Sequence, residues 1–213
     1  MAFDMKETAT TDPRFKNELP QAGTLQEYAS AYADQLAAAI KSISSQTFDD
    51  VYAALENVIQ NGKRVYVAGN GGSSAIADHL CCDWTKGTHV SAMPSLKTHS
   101  LSASVGLLTA LSNDFSYEQA FERQLEMYAE KGDLVVLISS SGNSPNVVKA
   151  AQAARDMGAT VLGLTGFSGG KLRELAHLSV HVPVNNYGIV EDAHQSVMHV
   201  LAQYLARARD KQK

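Results

Sequence analysis

Val65-Tyr66-Val67-Ala68-Gly69-Asn70-Gly71-Gly72-Ser73-Ser74 is a β-branched and aromatic run that breaks into glycines and serines just before a helical stretch begins. The run reads as a strand. The glycines let the backbone approach a ligand closely, and Ser73, Ser74 and the free amides of a helix start can donate hydrogen bonds to an anion. The same order returns after Leu134 to Ile138, as Ser139-Ser140-Ser141-Gly142-Asn143-Ser144-Pro145. Here hydroxyls dominate, and Pro145 suits the first turn of the helix that carries Val147 and Val148. Neither loop is a Walker sequence or GxGxxG, so a nucleotide or dinucleotide reading lacks its fingerprint. One such loop is readily a serine-capped turn. Two at strand ends of one sheet point to a single anion held by several neutral donors, which suits a phosphate monoester.

Outward from these loops the alternation of short strands with helices predicts an α/β protein with a parallel sheet. Strands are expected at Arg64 to Ala68, Thr98 to Ser102, Leu134 to Ile138, Thr160 to Leu164 and Leu178 to Val182. Apolar residues at helical spacing predict a helix over Leu25 to Ile43, a second over Phe48 to Asn61 and a last one from about Val190 to Arg207. The first two dozen residues are polar and include Pro13, Pro20 and Gly23, which predicts an irregular arm. The expected organisation is an N-terminal arm and helix over 1–47 and one α/β domain over 48–213, a three-layer αβα sandwich on a five-stranded parallel sheet preceded by N-terminal helices.

The chain has 213 residues, 45% apolar and 19% charged, with a formal charge of -4. That charge gives no broad basic surface, so nucleic acid is not an expected partner, and an anionic ligand needs a local site. Met1 to Lys16 lacks the basic start and apolar run of a signal peptide, and no stretch approaches a membrane span. A soluble, cytoplasmic protein without membrane contact is expected. The two cysteines, Cys81 and Cys82, are adjacent and form neither a disulfide framework nor a metal knuckle. They are expected as small buried side chains in a reducing compartment.

His79 and Asp83 lie four residues apart and about 40° apart around a helix, so an imidazole and a carboxylate share one face after the first loop. The last helix presents Glu191, His194 and His199. Glu191 and His199 are about 80° apart in azimuth and about 12 Å in rise, so one ion reaches both only if Glu191 sits at a frayed helix start or the side chains lean together.

The Gly69 to Ser73 loop, Asn113-Asp114-Phe115, the Ser139 to Ser144 loop, Leu164-Thr165-Gly166 and the terminal helix together resemble, in order and spacing, the phosphoheptose isomerases of the SIS family. The resemblance runs from about Phe48 to the C-terminus and implies the SIS fold, with flavodoxin-like topology. It also implies a substrate site at Asn70, Gly71, Gly72, Ser73, Asn113, Asp114, Ser139, Ser140, Ser141, Ser144 and Glu191. The family's metal ligands are histidine and glutamate from the first helix, glutamine and histidine from the last. His79 and His199 match, Asp83 stands for the glutamate and Glu191 for the glutamine. Both departures keep oxygen ligands, and His79, Asp83, Glu191 and His199 suit zinc best among divalent metals, with iron, manganese or nickel as alternatives. His194 is the substitute ligand if His199 does not serve. Gly188 and Gly87 stand where the family has an aspartate and an arginine, which argues for a changed substrate.

The implied activity is aldose-ketose isomerisation of a phosphorylated sugar, sedoheptulose 7-phosphate above all, through a cis-enediol with Asp83 and His199 as base and acid. The family also implies self-association as a homotetramer, with the N-terminal helix and the Val197 to Leu205 stripe as apolar surface. Two rivals share the motifs: a non-catalytic SIS module that binds a phosphosugar or a replication initiator, and an isomerase of another phosphosugar. A pure binder has no need of His79, Asp83 and His199 together.

Overall fold

The computed structural model describes residues 23–211, so most of the expected arm lies outside the described residues. Strands β1 (Arg64–Gly69), β2 (Lys97–Ser100), β3 (Leu134–Ser139), β4 (Thr160–Thr165) and β5 (Leu178–His181) run parallel in the order β2-β1-β3-β4-β5. Side chains alternate across the sheet. Val65, Val67, Leu134, Val136, Ile138, Leu162, Leu164 and Val180 enter one core, and Tyr66, Ala68, Val135, Leu137 and Val161 enter the other. Burial on both faces is why these strands read as nearly continuous apolar runs.

Helices α1 (Leu25–Lys41), α2 (Ser45–Gln60), α3 (Gly72–Cys82) and α8 (Tyr187–Asp210) cover the first face. Helices α5 (Ala120–Tyr128), α6 (Pro145–Asp156) and α7 (Gly170–Leu175) cover the second, with Leu108 of α4 (Val105–Asp114) packed at its margin. This is the expected three-layer sandwich, and each fully buried leucine or isoleucine in it contributes about 2 kcal/mol of transfer free energy.

Helix boundaries follow their caps. At α1 the Thr24 hydroxyl accepts from the Glu27 amide while the Glu27 carboxylate accepts from the Thr24 amide, a capping box. Helix α2 starts before the expected Phe48 because the Ser44 hydroxyl accepts from the Thr47 amide at 3.0 Å. Helix α8 starts before the expected Val190 because the Asn186 side chain caps the Ile189 amide at 3.2 Å. Glu191 therefore lies a full turn inside a regular helix. After Cys82 the third helix widens into a π-turn over Asp83–Gly87, which the spacing of residues did not foretell. Cys81 is half-buried and Cys82 exposed, so the expectation of two buried thiols fails for Cys82.

Strand order reverses between β1 and β3, and in doubly wound sheets ligands bind outside the carboxyl ends of the strands at that switch point. The loops after β1 and β3 stand side by side there.

Candidate active site

Both loops feed helices whose N-cap residues, Gly71 for α3 and Ser144 for α6, make no side-chain cap. The Ser73 and Ser74 amides turn back to the Asn70 and Gly71 carbonyls and the Val147 amide to Asn146 Oδ1, so the hydroxyls carry most of the donor capacity at these helix starts. The Ser139 and Ser144 hydroxyls lie 3.1 Å apart across the second loop. The Ser141 hydroxyl accepts from the Asn143 amide at 3.2 Å. Ser140 is 5% exposed, and its hydroxyl has no hydrogen-bond partner among the described residues. An orphaned buried hydroxyl costs about 1–3 kcal/mol, a debt that a bound oxyanion would cancel.

The loops are locked together. The Asn70 and Asn146 side-chain amides exchange two hydrogen bonds of 2.9 Å, and the Tyr117 hydroxyl donates to Asn70 Oδ1 at 2.7 Å. Asn146 and Tyr117 escaped the sequence reading. Asn146 follows the Pro145 helix start and Tyr117 follows the Asn113-Asp114-Phe115 motif, but neither spacing predicts a contact 76 or 47 residues away. Asn113 and Asp114, expected at the substrate, are exposed at the end of α4 and bond to each other at 3.0 Å; among the described residues no bond joins them to either loop.

Along α3 the expected pair meets the last helix. His79 Nε2 lies 3.5 Å and His199 Nε2 3.3 Å from the same Asp83 carboxylate oxygen, and the two imidazole rings stand edge to face with centroids 4.9 Å apart. The donor atoms of these three residues lie within 4.8 Å of one another, and all three side chains keep partial access to solvent. Two imidazoles and a carboxylate at that spacing fit a divalent cation. Gln195 completes the group: its side-chain amide reaches His79 Nδ1 at 2.9 Å and His199 Nε2 at 3.3 Å. The sequence signal for Gln195 was its place four residues before His199, on the same helix face.

Glu191 does not join them. Its carboxylate lies over Gly72, where a methyl group in place of the glycine hydrogen would fall 2.3 Å from Glu191 Oε2. Convergence of all four expected ligands fails for the reason the 12 Å rise foreshadowed, because α8 is regular through both Glu191 and His199. Burial, then the neighbouring Asp192, raises the proton affinity of Glu191. Glu191, Gln195 and His199 thus form one stripe on α8 that runs from the first loop to the histidine cluster. Gly188 packs beneath Tyr32, whose hydroxyl would be 3.0 Å from a side chain there and donates to Asp192 at 2.6 Å.

His194 is fully buried, with Nε2 3.2 Å from the Thr165 carbonyl. Burial pushes its pKa down to about 4, so it is a neutral core residue and no substitute ligand.

The fold and these contacts define a doubly wound protein whose switch-point cleft sets two glycine- and serine-rich loops beside a histidine and carboxylate cluster. The SIS domain family matches residues 27–166. A phosphoheptose isomerase of Aliarcobacter butzleri is 39% identical over 147 residues, 69% of this chain and 77% of the relative, and one of Helicobacter hepaticus is 40% identical over 147 residues, 69% and 74%. The structure of a phosphoheptose isomerase from Neisseria gonorrhoeae superposes with a TM-score of 0.78 at 27% identity, over 85% of this chain and 98% of that one. The chain belongs to the SIS-domain family and, within it, to the phosphoheptose isomerase family.

Proposed function

We propose that the chain interconverts a ketose phosphate and the corresponding aldose phosphate, sedoheptulose 7-phosphate and a heptose 7-phosphate, through a cis-enediol. The observation that carries this reading is the meeting of Asp83 with His79 and His199 on the helix that leads out of the first phosphate loop. The names of its relatives support the substrate class. A phosphate seated at the start of α3 and carbons reacting near His79 are separated by roughly 9 Å of helix rise, a span that suits an extended sugar chain.

In this mechanism Asp83 removes a proton from C1 of the ketose as the C1–C2 double bond forms, and the C2 oxygen takes a proton from His199. Return of the carbon-bound proton from Asp83 to C2, with loss of the O1 proton to His199, yields the aldehyde. Gln195 bridges His79 and His199 and holds both rings in place for this exchange. A divalent cation, zinc by the donor set, would be held by His79, Asp83 and His199 and would polarise the oxygens on C1 and C2 as a Lewis acid. Ser73, Ser139, Ser140, Ser141 and Ser144 bind the phosphate without a cation of their own, and Glu191 faces the chain of sugar hydroxyls between phosphate and reacting carbons.

Self-association as a tetramer belongs to the same reading, supported by the exposed Val105, Phe115, Val200 and Tyr204. A cytoplasmic setting accords with two free cysteines and with the finding that no described helix is long and apolar enough to cross a membrane. The test is a panel of five-, six- and seven-carbon ketose phosphates assayed with and without chelator. Turnover of the seven-carbon substrate, lost on chelation and restored by zinc, is expected; no turnover of any of them would overturn the proposal.

A further inference from the structure

We infer that Trp84 is a positioning residue that holds the Asp83 carboxylate against His199; this rests on the isomerase reading. Trp84 follows Asp83 directly, and Met198 precedes His199 directly. The buried Trp84 indole N–H donates to the Met198 carbonyl at 3.2 Å, so a single hydrogen bond joins the neighbours of the two reacting groups across 114 residues of chain. Asp83 Oδ2 and His199 Nε2 then stand 3.3 Å apart.

The π-turn that carries Asp83 is fixed at its far end as well. The Trp84 carbonyl accepts from the Thr88 hydroxyl, and the Thr88 carbonyl accepts from Arg209 Nε at 2.9 Å. Thr88 is 1% exposed and Arg209 5%, so neither bond competes with bulk water. Asp83 to Gly87 is therefore tied to α8 at Met198 and again, through Thr88, at Arg209, with the reacting pair at the first tie. Single-turn π-segments cluster at functional sites, and this one departs from α-helical geometry at the reacting carboxylate. An aspartate has a short reach, so its backbone must be brought close to its partner. An error of about an ångström in such a pair lowers the rate on the order of a hundredfold.

Trp84→Phe keeps a buried aromatic ring but removes the N–H together with the five-membered half of the indole, so rescue by a second substitution separates positioning from lost packing. It should lower kcat about tenfold with KM within twofold, because the phosphate loops are untouched. Asp83→Glu, one methylene longer, should restore at least half of that loss in the Trp84→Phe background, a rescue that a merely packing role would not give. Thr88→Val, which removes the hydroxyl bond to the Trp84 carbonyl and leaves the Arg209 bond to the Thr88 backbone carbonyl, should loosen the turn and lower kcat in the same way, and serves if Trp84→Phe does not fold. Cobalt(II) titration followed by visible absorbance reads the His79, Asp83 and His199 cluster without turnover, and both variants should bind the ion about tenfold more weakly. Full kcat and cobalt affinity in both variants, or a loss that Asp83→Glu fails to restore, would overturn the assignment. A wild type that binds cobalt but turns over no ketose phosphate would sink the isomerase reading alone, leaving the clamp to be judged by its effect on cobalt affinity.

Discussion

Asn70 and Asn146 hold each other by two reciprocal amide hydrogen bonds of 2.9 Å, and so bind the loop after β1 to the helix after β3 at the switch point of the sheet. Asn146 is 2% exposed, which keeps water from replacing either bond. The spacing between the two loops is thus set by a side-chain pair, and with it the width of the anion site proposed between them.

Asn146→Ala should leave the sheet intact yet weaken phosphate binding. With its partner gone, the half-buried Asn70 amide loses two bonds and the loops are free to part, at about 1–3 kcal/mol. Inorganic phosphate, measured as a competitive inhibitor, should bind about tenfold more weakly, while kcat at saturating substrate changes little. An unchanged inhibition constant would show that the loops keep their spacing without the pair.

Gln195→Ala should lower kcat by about 10–100-fold with KM within threefold, the effect of removing a side chain that orients two imidazoles. Steady-state kinetics on the seven-carbon ketose phosphate gives the split. A rise in KM with full kcat would instead assign Gln195 to substrate binding.

His194 makes the protein sensitive to acid. In the folded chain burial holds its pKa at about 4, whereas in the unfolded chain it takes a proton near 6.5. The unfolded state therefore binds the extra proton, and stability is complete above about pH 6.5 and falls by a few kcal/mol as the pH drops toward 4. Urea unfolding at pH 7, 6 and 5 should show this slope, and His194→Gln should flatten it. Equal slopes in both proteins would assign the acid sensitivity to other groups.

Gly142→Ala should be far more damaging than Gly62→Ala. Both glycines have positive φ, +67° and +64°. A methyl group at Gly62 meets nothing within 4 Å, so it should cost only about 1–2 kcal/mol of left-handed strain. At Gly142 the methyl group would fall 1.8 Å from the Gly169 carbonyl oxygen, a backbone atom that cannot step aside. A loss above about 4 kcal/mol, or failure to fold, is expected. Similar urea midpoints for the two variants would refute the clash.

The sequence by itself determined the layered fold, because short, nearly continuous apolar strands buried on both faces and separated by amphipathic helices leave one economical packing. It also determined the two glycine- and serine-rich loops at the strand ends, whose residues are local, and the pairing of His79 with Asp83, because four residues of helix fix a common face. The tertiary structure alone decided which parts of distant elements meet. Asn146 and Tyr117 reach Asn70, Gln195 takes the place beside the two histidines that the family resemblance had given to Glu191, and Glu191 instead settles over Gly72. The register of α8 against α3 is set by side chains such as Trp84 packing in the core between them, and a one-turn difference of about 5.4 Å in that register exchanges one stripe residue for the next. Local periodicity does not record that offset, since every residue on the stripe repeats the same face.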